Sequence, residues 1–81
     1  MNNEKIQISL INLEDGATGI IVSIVGGQRA TKRLADLGLK KGTEIKVIRR
    51  TLFSGPVQIE ACGSMLVLGR GLASKIIVER R

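Results

Sequence analysis

Apolar residues recur along this chain in short runs whose period changes several times, and each change marks an element boundary. Ile6-Gln7-Ile8 alternates and reads as a short extended start. Ser9 is an N-cap-type residue, with Leu10 and Leu13 three apart behind it, so the spacing predicts one helical turn before Asp15-Gly16 turns the chain. From Ala17 to Val25 the chain is apolar and β-branched on both parities. That pattern suits a strand bent between two sides of a small barrel, with Gly19 allowing the bend and Gly26-Gly27 ending it.

Between Gln28 and Leu37 the period lengthens. Ala30, Leu34 and Leu37 fall at i, i+4 and i+7, while Arg29, Lys32, Arg33 and Asp36 point elsewhere, which predicts an amphipathic helix, the only long one in the chain. Gly38 stands where a left-handed cap is wanted, and Leu39 beyond it is placed to fold back on Leu34. Lys40-Lys41-Gly42 follows as a turn.

Alternation by two then returns: Thr43 to Arg50 with Ile45 and Val47 inward, Val57 to Cys62 with Val57, Ile59 and Ala61 inward, and Met65 to Leu68 with Leu66 and Leu68 inward. Gly63-Ser64 fits a two-residue type II′ turn, which pairs Cys62 with Met65, Ala61 with Leu66, Glu60 with Val67 and Ile59 with Leu68. Cys62, Met65 and Val67 then lie on the outer face. Gly69 to Ser74 reads as a loop or tight helical turn, and Lys75 to Glu79 as a last strand with Ile76 and Val78 inward. Five or six short strands with one inserted helix make a mainly β, partly open barrel, because a sheet this small buries one face only by curling on itself.

Composition narrows the picture. The 81 residues suffice for one domain over 1–81 and not for two cores. Phe53 is the only aromatic, so the interior is built from Ile, Val, Leu and Ala. The lone Cys62 excludes an intramolecular disulfide and points to the cytoplasm. The start of the chain lacks the features of a signal peptide, and its longest apolar run, Ile20 to Val25, is far short of a membrane span. A membrane link therefore runs through a partner, without direct insertion.

The chemistry points away from catalysis. There is no His or Tyr and there are only seven acids, too few convergent groups for acid–base work. Cys62 reads as a small hydrophobe at a strand end. Cys62 facing Met65 offers two soft sulfurs, short of the roughly four donors of a closed transition-metal site. Gly26-Gly27 before a helix lacks the Lys-Ser/Thr of a phosphate loop. No cofactor is called for.

The net charge of +6 favours an anionic partner. Its cations cluster at Arg29, Lys32 and Arg33, at Lys40 and Lys41, and at Arg49 and Arg50; Leu52 and Phe53 follow in a loop, giving the combination of apolar residues and Arg that anchors interfaces. We take Arg29, Lys32, Arg33, Arg49, Arg50, Leu52 and Phe53 as the candidate partner-binding surface. A basic barrel binding RNA or DNA is the competing reading; aromatic poverty weighs against it, because single strands are held by stacking. A metal-sensing or delivery domain, motivated by Cys62 and Met65, is the third.

The order of landmarks is more specific than any single piece: Leu10-x-x-Leu13-x-x-Gly16, Gly26-Gly27, Arg33-Leu34-x-x-Leu37-Gly38-Leu39-x-x-Gly42-Thr43, a basic strand end, Gly55-Pro56, and Ala73-x-x-Ile76-x-Val78-Glu79. Over nearly the whole chain this resembles the ferrous iron transport protein A (FeoA) family. The resemblance implies an SH3-like barrel with a helix packed beside it. It also implies a non-catalytic role in bacterial ferrous iron uptake through the cytoplasmic, GTPase-bearing region of the FeoB transporter. The family is similar in turn to the C-terminal domain of iron-dependent repressors of the diphtheria toxin repressor type. Gly69-Arg70-Gly71 departs from the family pattern in its glycine content.

Overall fold

The computed structural model describes residues 6–50 and 55–81, the Arg50 side chain excepted. Strand β1 (Gln7–Ser9) leads into a 3₁₀ turn, Leu10–Asn12. There follow β2 (Thr18–Ile24), helix α1 (Gly27–Asp36), β3 (Glu44–Arg50), β4 (Val57–Ala61), β5 (Ser64–Leu68), the one-turn helix α2 (Arg70–Ala73) and β6 (Ile76–Arg80). The strands form one antiparallel sheet in the order β1-β6-β2-β3-β4-β5. Its curled inner face encloses a core of Leu10, Leu13, Ile21, Leu34, Leu39, Ile45, Val47, Val57, Ile59, Leu68, Ile76 and Val78. Every inward position expected from the alternation in β3, β4 and β6 is buried. No polar or charged residue among those described is buried, so the interior gains from apolar burial without leaving a desolvated polar group to compensate.

The local signals explain the elements. Ser9 caps the 3₁₀ turn, its hydroxyl accepting from the Ile11 amide at 3.4 Å and donating to the Ser74 carbonyl at 3.0 Å. One side chain thus ties the start of the chain to the end of α2. Helix α1 starts and stops one residue earlier than its periodicity suggests. It ends in a Schellman motif: Gly38 has φ +85°, its amide donates to Ala35 O at 2.9 Å, and the Leu39 amide donates to Leu34 O at 2.9 Å. Leu34 and Leu39 are both fully buried. Leu37, expected on the inner stripe, is instead 43% exposed, because the helix has already unwound there (φ −90°, ψ 2°) and Leu39 takes the core position.

Two strands bend elsewhere than Gly19. Register shifts lie between Ile21 and Ser23 on β2 and between Val47 and Arg49 on β3, bulges that sharpen the twist and let a six-stranded sheet curl. Gly19 serves a different need: a Cβ there would lie 3.0 Å from Val78 Cβ and 3.2 Å from the Glu79 carbonyl oxygen. β2 and β6 come together more closely at that point than any side chain permits.

The β4–β5 hairpin corrects the expected register. Ala61 pairs with Ser64, Glu60 with Met65, Ile59 with Leu66 and Val57 with Leu68. The turn residues are Cys62 (φ +54°) and Gly63 (φ +76°), both left-handed as a type I′ turn demands, rather than Gly63 and Ser64 in type II′. Moving the turn back one residue slides β5 by two along β4, and a slide of two preserves which face each side chain takes. Leu68 is therefore still buried, with Met65 and Val67 outside, although every expected cross-strand partner is different.

Candidate functional site

Helix α1 carries its cations on two faces. Ala30 and Leu34 define the buried stripe; Lys32 stands about 200° round from Ala30 and points to solvent. Arg29 and Arg33 sit beside the stripe and line an open groove of about 270 Å³ with Gly26, Ala30, Leu72 and Lys75. Leu72 comes from α2 and Lys75 from the turn after it. The chain path explains their presence: the Val25 amide donates to the Lys75 carbonyl at 2.8 Å, which brings the end of β2 and the start of β6 together at the helix entrance. Gly26 (φ +109°) lies under the Lys75 stem, since a Cβ there would be 2.8 Å from Lys75 Cδ and Cε. The lysine stem is thereby packed over Gly26, and Lys75 lines the groove together with Arg29 and Arg33.

The groove has an apolar floor, Ala30 and Leu72, three cationic walls, and no carboxylate among its lining residues. Arg29, Arg33 and Lys75 make no ion pair among the described residues. Cations left unpaired at an apolar floor attract carboxylates, and the Arg guanidinium donates to them bidentately. A second depression, on the outer face of β2, β3 and β4, is lined by Thr18, Glu44, Lys46, Glu60, Ala61, Cys62 and Gly63. There Glu60 is the cross-strand partner of Lys46, so its charges are mixed and it lacks that preference.

Of the expected surface beyond α1, Arg49 is the one residue whose side chain is described, and it does not line the helix groove. Arg49 is exposed near the end of β3 and lines a shallow depression of about 210 Å³ with Pro56, Gln58 and Val67. Leu52 and Phe53, and the side chain of Arg50, lie outside the described residues. Lys75 and Leu72 had no place in the expected surface; they are more than forty positions from Arg29 in sequence, and only the β2–β6 pairing brings them to it.

The sulfur pair does not form as expected. Cys62 is in the turn, exposed, with its thiol 3.9 Å from the Gly38 carbonyl oxygen, and Met65 is the cross-strand partner of Glu60. No group of three or more His, Cys, Asp or Glu able to hold a metal ion is present among the described residues.

The FeoA domain family model matches residues 8–80, from the second residue of β1 to the end of β6. The chain belongs to the FeoA family. It is 42% identical over 66 residues to a relative from Methanocaldococcus jannaschii assigned as Fe(2+) transport protein A, a match that covers 82% of this chain and 78% of that protein. The crystal structure of an iron uptake regulatory protein, FeoA, superimposes with a TM-score of 0.84 at 32% identity, covering 94% of this chain and 99% of that one. A manganese-dependent transcriptional repressor superimposes with a TM-score of 0.86 at 22% identity, covering 96% of this chain and 44% of the repressor. That likeness is one of fold, the SH3-like barrel common to FeoA and to part of the repressor. In this FeoA chain no described helix is long and apolar enough to cross a membrane.

Proposed function

We propose that this FeoA chain is a non-catalytic accessory module of ferrous iron uptake, acting in the cytoplasm by docking on the cytoplasmic region of the FeoB transporter. The observation that carries the reading is the α1 groove: Arg29, Arg33 and Lys75 around Ala30 and Leu72, with no carboxylate among them. Such a groove suits a partner segment that presents acidic side chains beside one apolar side chain, the pairing of charge with a small apolar anchor that gives protein interfaces both rate and specificity. The candidate surface also takes in Lys32, on the solvent side of α1, Arg49 near the end of β3, and Arg50, Leu52 and Phe53, which follow Arg49 in the sequence. Family membership supplies the transport context. The absence of His from the sequence and the small number of acids support binding over catalysis.

The experiment is a pull-down of the FeoB cytoplasmic region with this chain, in the presence and absence of guanine nucleotide. Retention in at least one nucleotide state is the expected result. Retention in neither, with ferrous iron uptake unchanged when the chain is deleted, would overturn the proposal.

A further inference from the structure

The sheet ends on β5, and among the described residues no strand pairs with that edge. Strands at sheet edges are ordinarily protected by charge, proline, a bulge or extreme shortness. The other edge, β1, has three residues. β5 has five, Ser64-Met65-Leu66-Val67-Leu68, without a charge or a proline, and it pairs with β4 without a register shift. Met65 is 53% and Val67 66% exposed, both on the outer face.

The hairpin determines which backbone groups are free. A two-residue turn makes its flanking pair, here Ala61 and Ser64, a hydrogen-bonded one, and the ladder alternates from there. The amides and carbonyls of Ser64, Leu66 and Leu68 thus face β4, while those of Met65 and Val67 face away from the sheet. Neither residue makes a turn, loop or cap backbone bond among the described residues.

We propose that β5 pairs antiparallel with β5 of a second copy of this chain about a two-fold axis at Leu66. The segment is self-complementary in this register. Leu66 meets Leu66 of the second copy as a non-hydrogen-bonded pair, consistent with its groups being turned to β4. Met65 meets Val67 of the second copy, and each such pair exchanges both of its free backbone hydrogen bonds. The exposed Met65 and Val67 side chains then cover one another on the outer face. Along the row, Gln58 beside Val67 continues into Met65 and Glu60 of the second copy, so no like charges face each other across the seam.

The seam is narrow against the ~1,200–2,000 Å² buried by stable interfaces, so the dimer is concentration-dependent. Each copy carries a net charge of +6, and screening that repulsion strengthens the dimer as salt is added. Docking of an acidic partner on α1 responds to salt in the opposite sense. This inference is independent of the docking role.

Sedimentation equilibrium of the native chain from micromolar to millimolar concentration tests the dimer. The expected result is self-association that rises with concentration and with salt. Val67→Lys should weaken it at least tenfold while leaving the thermal midpoint unchanged, since the side chain is exposed. A register test uses the Cys62→Asn background, where Met65→Cys and Val67→Cys are made on separate chains. Hydrogen-bonded partners have Cα atoms about 5.5 Å apart, within the roughly 4.4–6.8 Å a disulfide spans, so oxidation should cross-link the mixture and not either chain alone. A native chain that is monomeric throughout, self-association unaltered by Val67→Lys, or equal cross-linking of the single-variant samples would each overturn the proposal. Binding of an extended apolar peptide to the edge of a chain that remains monomeric would also count against it.

Discussion

Replacing Gly19 by Ala adds a single methyl group at the closest approach of β2 and β6. Built on the existing backbone, that carbon lies 3.0 Å from Val78 Cβ, 3.1 Å from Val78 Cγ2 and 3.2 Å from the Glu79 carbonyl oxygen. None of these is the far end of a flexible side chain: two are fixed by the backbone, and Val78 is itself fully buried. Relief requires the strands to separate, and overpacking of this kind costs about 1–3 kcal/mol. Against that, Ala in place of Gly restricts the unfolded chain, a gain of about 0.4–1 kcal/mol. At mid-range the net is a loss of about 1.3 kcal/mol, equivalent to a fall in melting temperature of roughly 5–10 °C for a domain of this size. Gly71→Ala is the matched control. Its Cβ meets nothing within 4 Å and the residue lies in helix α2, so the same chemical change should raise stability by about 0.5–1 kcal/mol. Thermal unfolding followed by circular dichroism measures both. A Gly19→Ala chain as stable as the native one would refute the close-approach argument, and a loss shared equally by Gly71→Ala would show that glycine content, not strand proximity, is at issue.

Three further outcomes follow from the geometry. Cys62→Asn places Asn-Gly, the preferred type I′ dipeptide, in the β4–β5 turn and should stabilise the chain by about 0.5–1 kcal/mol by relieving a left-handed Cys, read by urea unfolding; a loss would mean that the thiol near Gly38 matters more than the turn. Gly38→Ala should cost about 1–2 kcal/mol through backbone strain alone, because φ is +85° and nothing lies within 4 Å of the added carbon; Gly38→Asn should recover part of that. Leu34→Ala removes a fully buried side chain and should cost about 2–5 kcal/mol, read by thermal unfolding as a fall of at least about 8 °C in the midpoint.

The sequence was most legible where one residue type has one physical use. Gly38 followed by Leu39 announced a Schellman ending, and the alternation in β3, β4 and β6 identified the buried residues correctly. The hairpin was misread because Gly63 belongs to two candidate turns. Ser looks the better neighbour for it than Cys, and only the twist of the assembled strands selects the type I′ pair that puts Cys62 at positive φ. Since the resulting slide was by two residues, the inner face survived the error, whereas the suspected Cys62–Met65 pairing did not. The candidate site was legible on α1, where Arg29 and Arg33 advertise themselves by helical spacing. Lys75 and Leu72 carried no local signal, because their role comes from the pairing of strands distant in sequence and from a glycine that lets a lysine stem pass.

The central claim, a basic groove on α1 that receives an acidic segment of the FeoB cytoplasmic region, is tested most directly by calorimetric titration of that region into the native chain and into an Arg29→Glu, Arg33→Glu double variant. Both side chains are exposed and unpaired among the described residues, so the variant should keep the native melting temperature. The account predicts saturable binding by the native chain that weakens as salt is raised, and a loss of at least tenfold, about 1.4 kcal/mol or more, in the variant. Equal affinity of the folded variant and the native chain would contradict it.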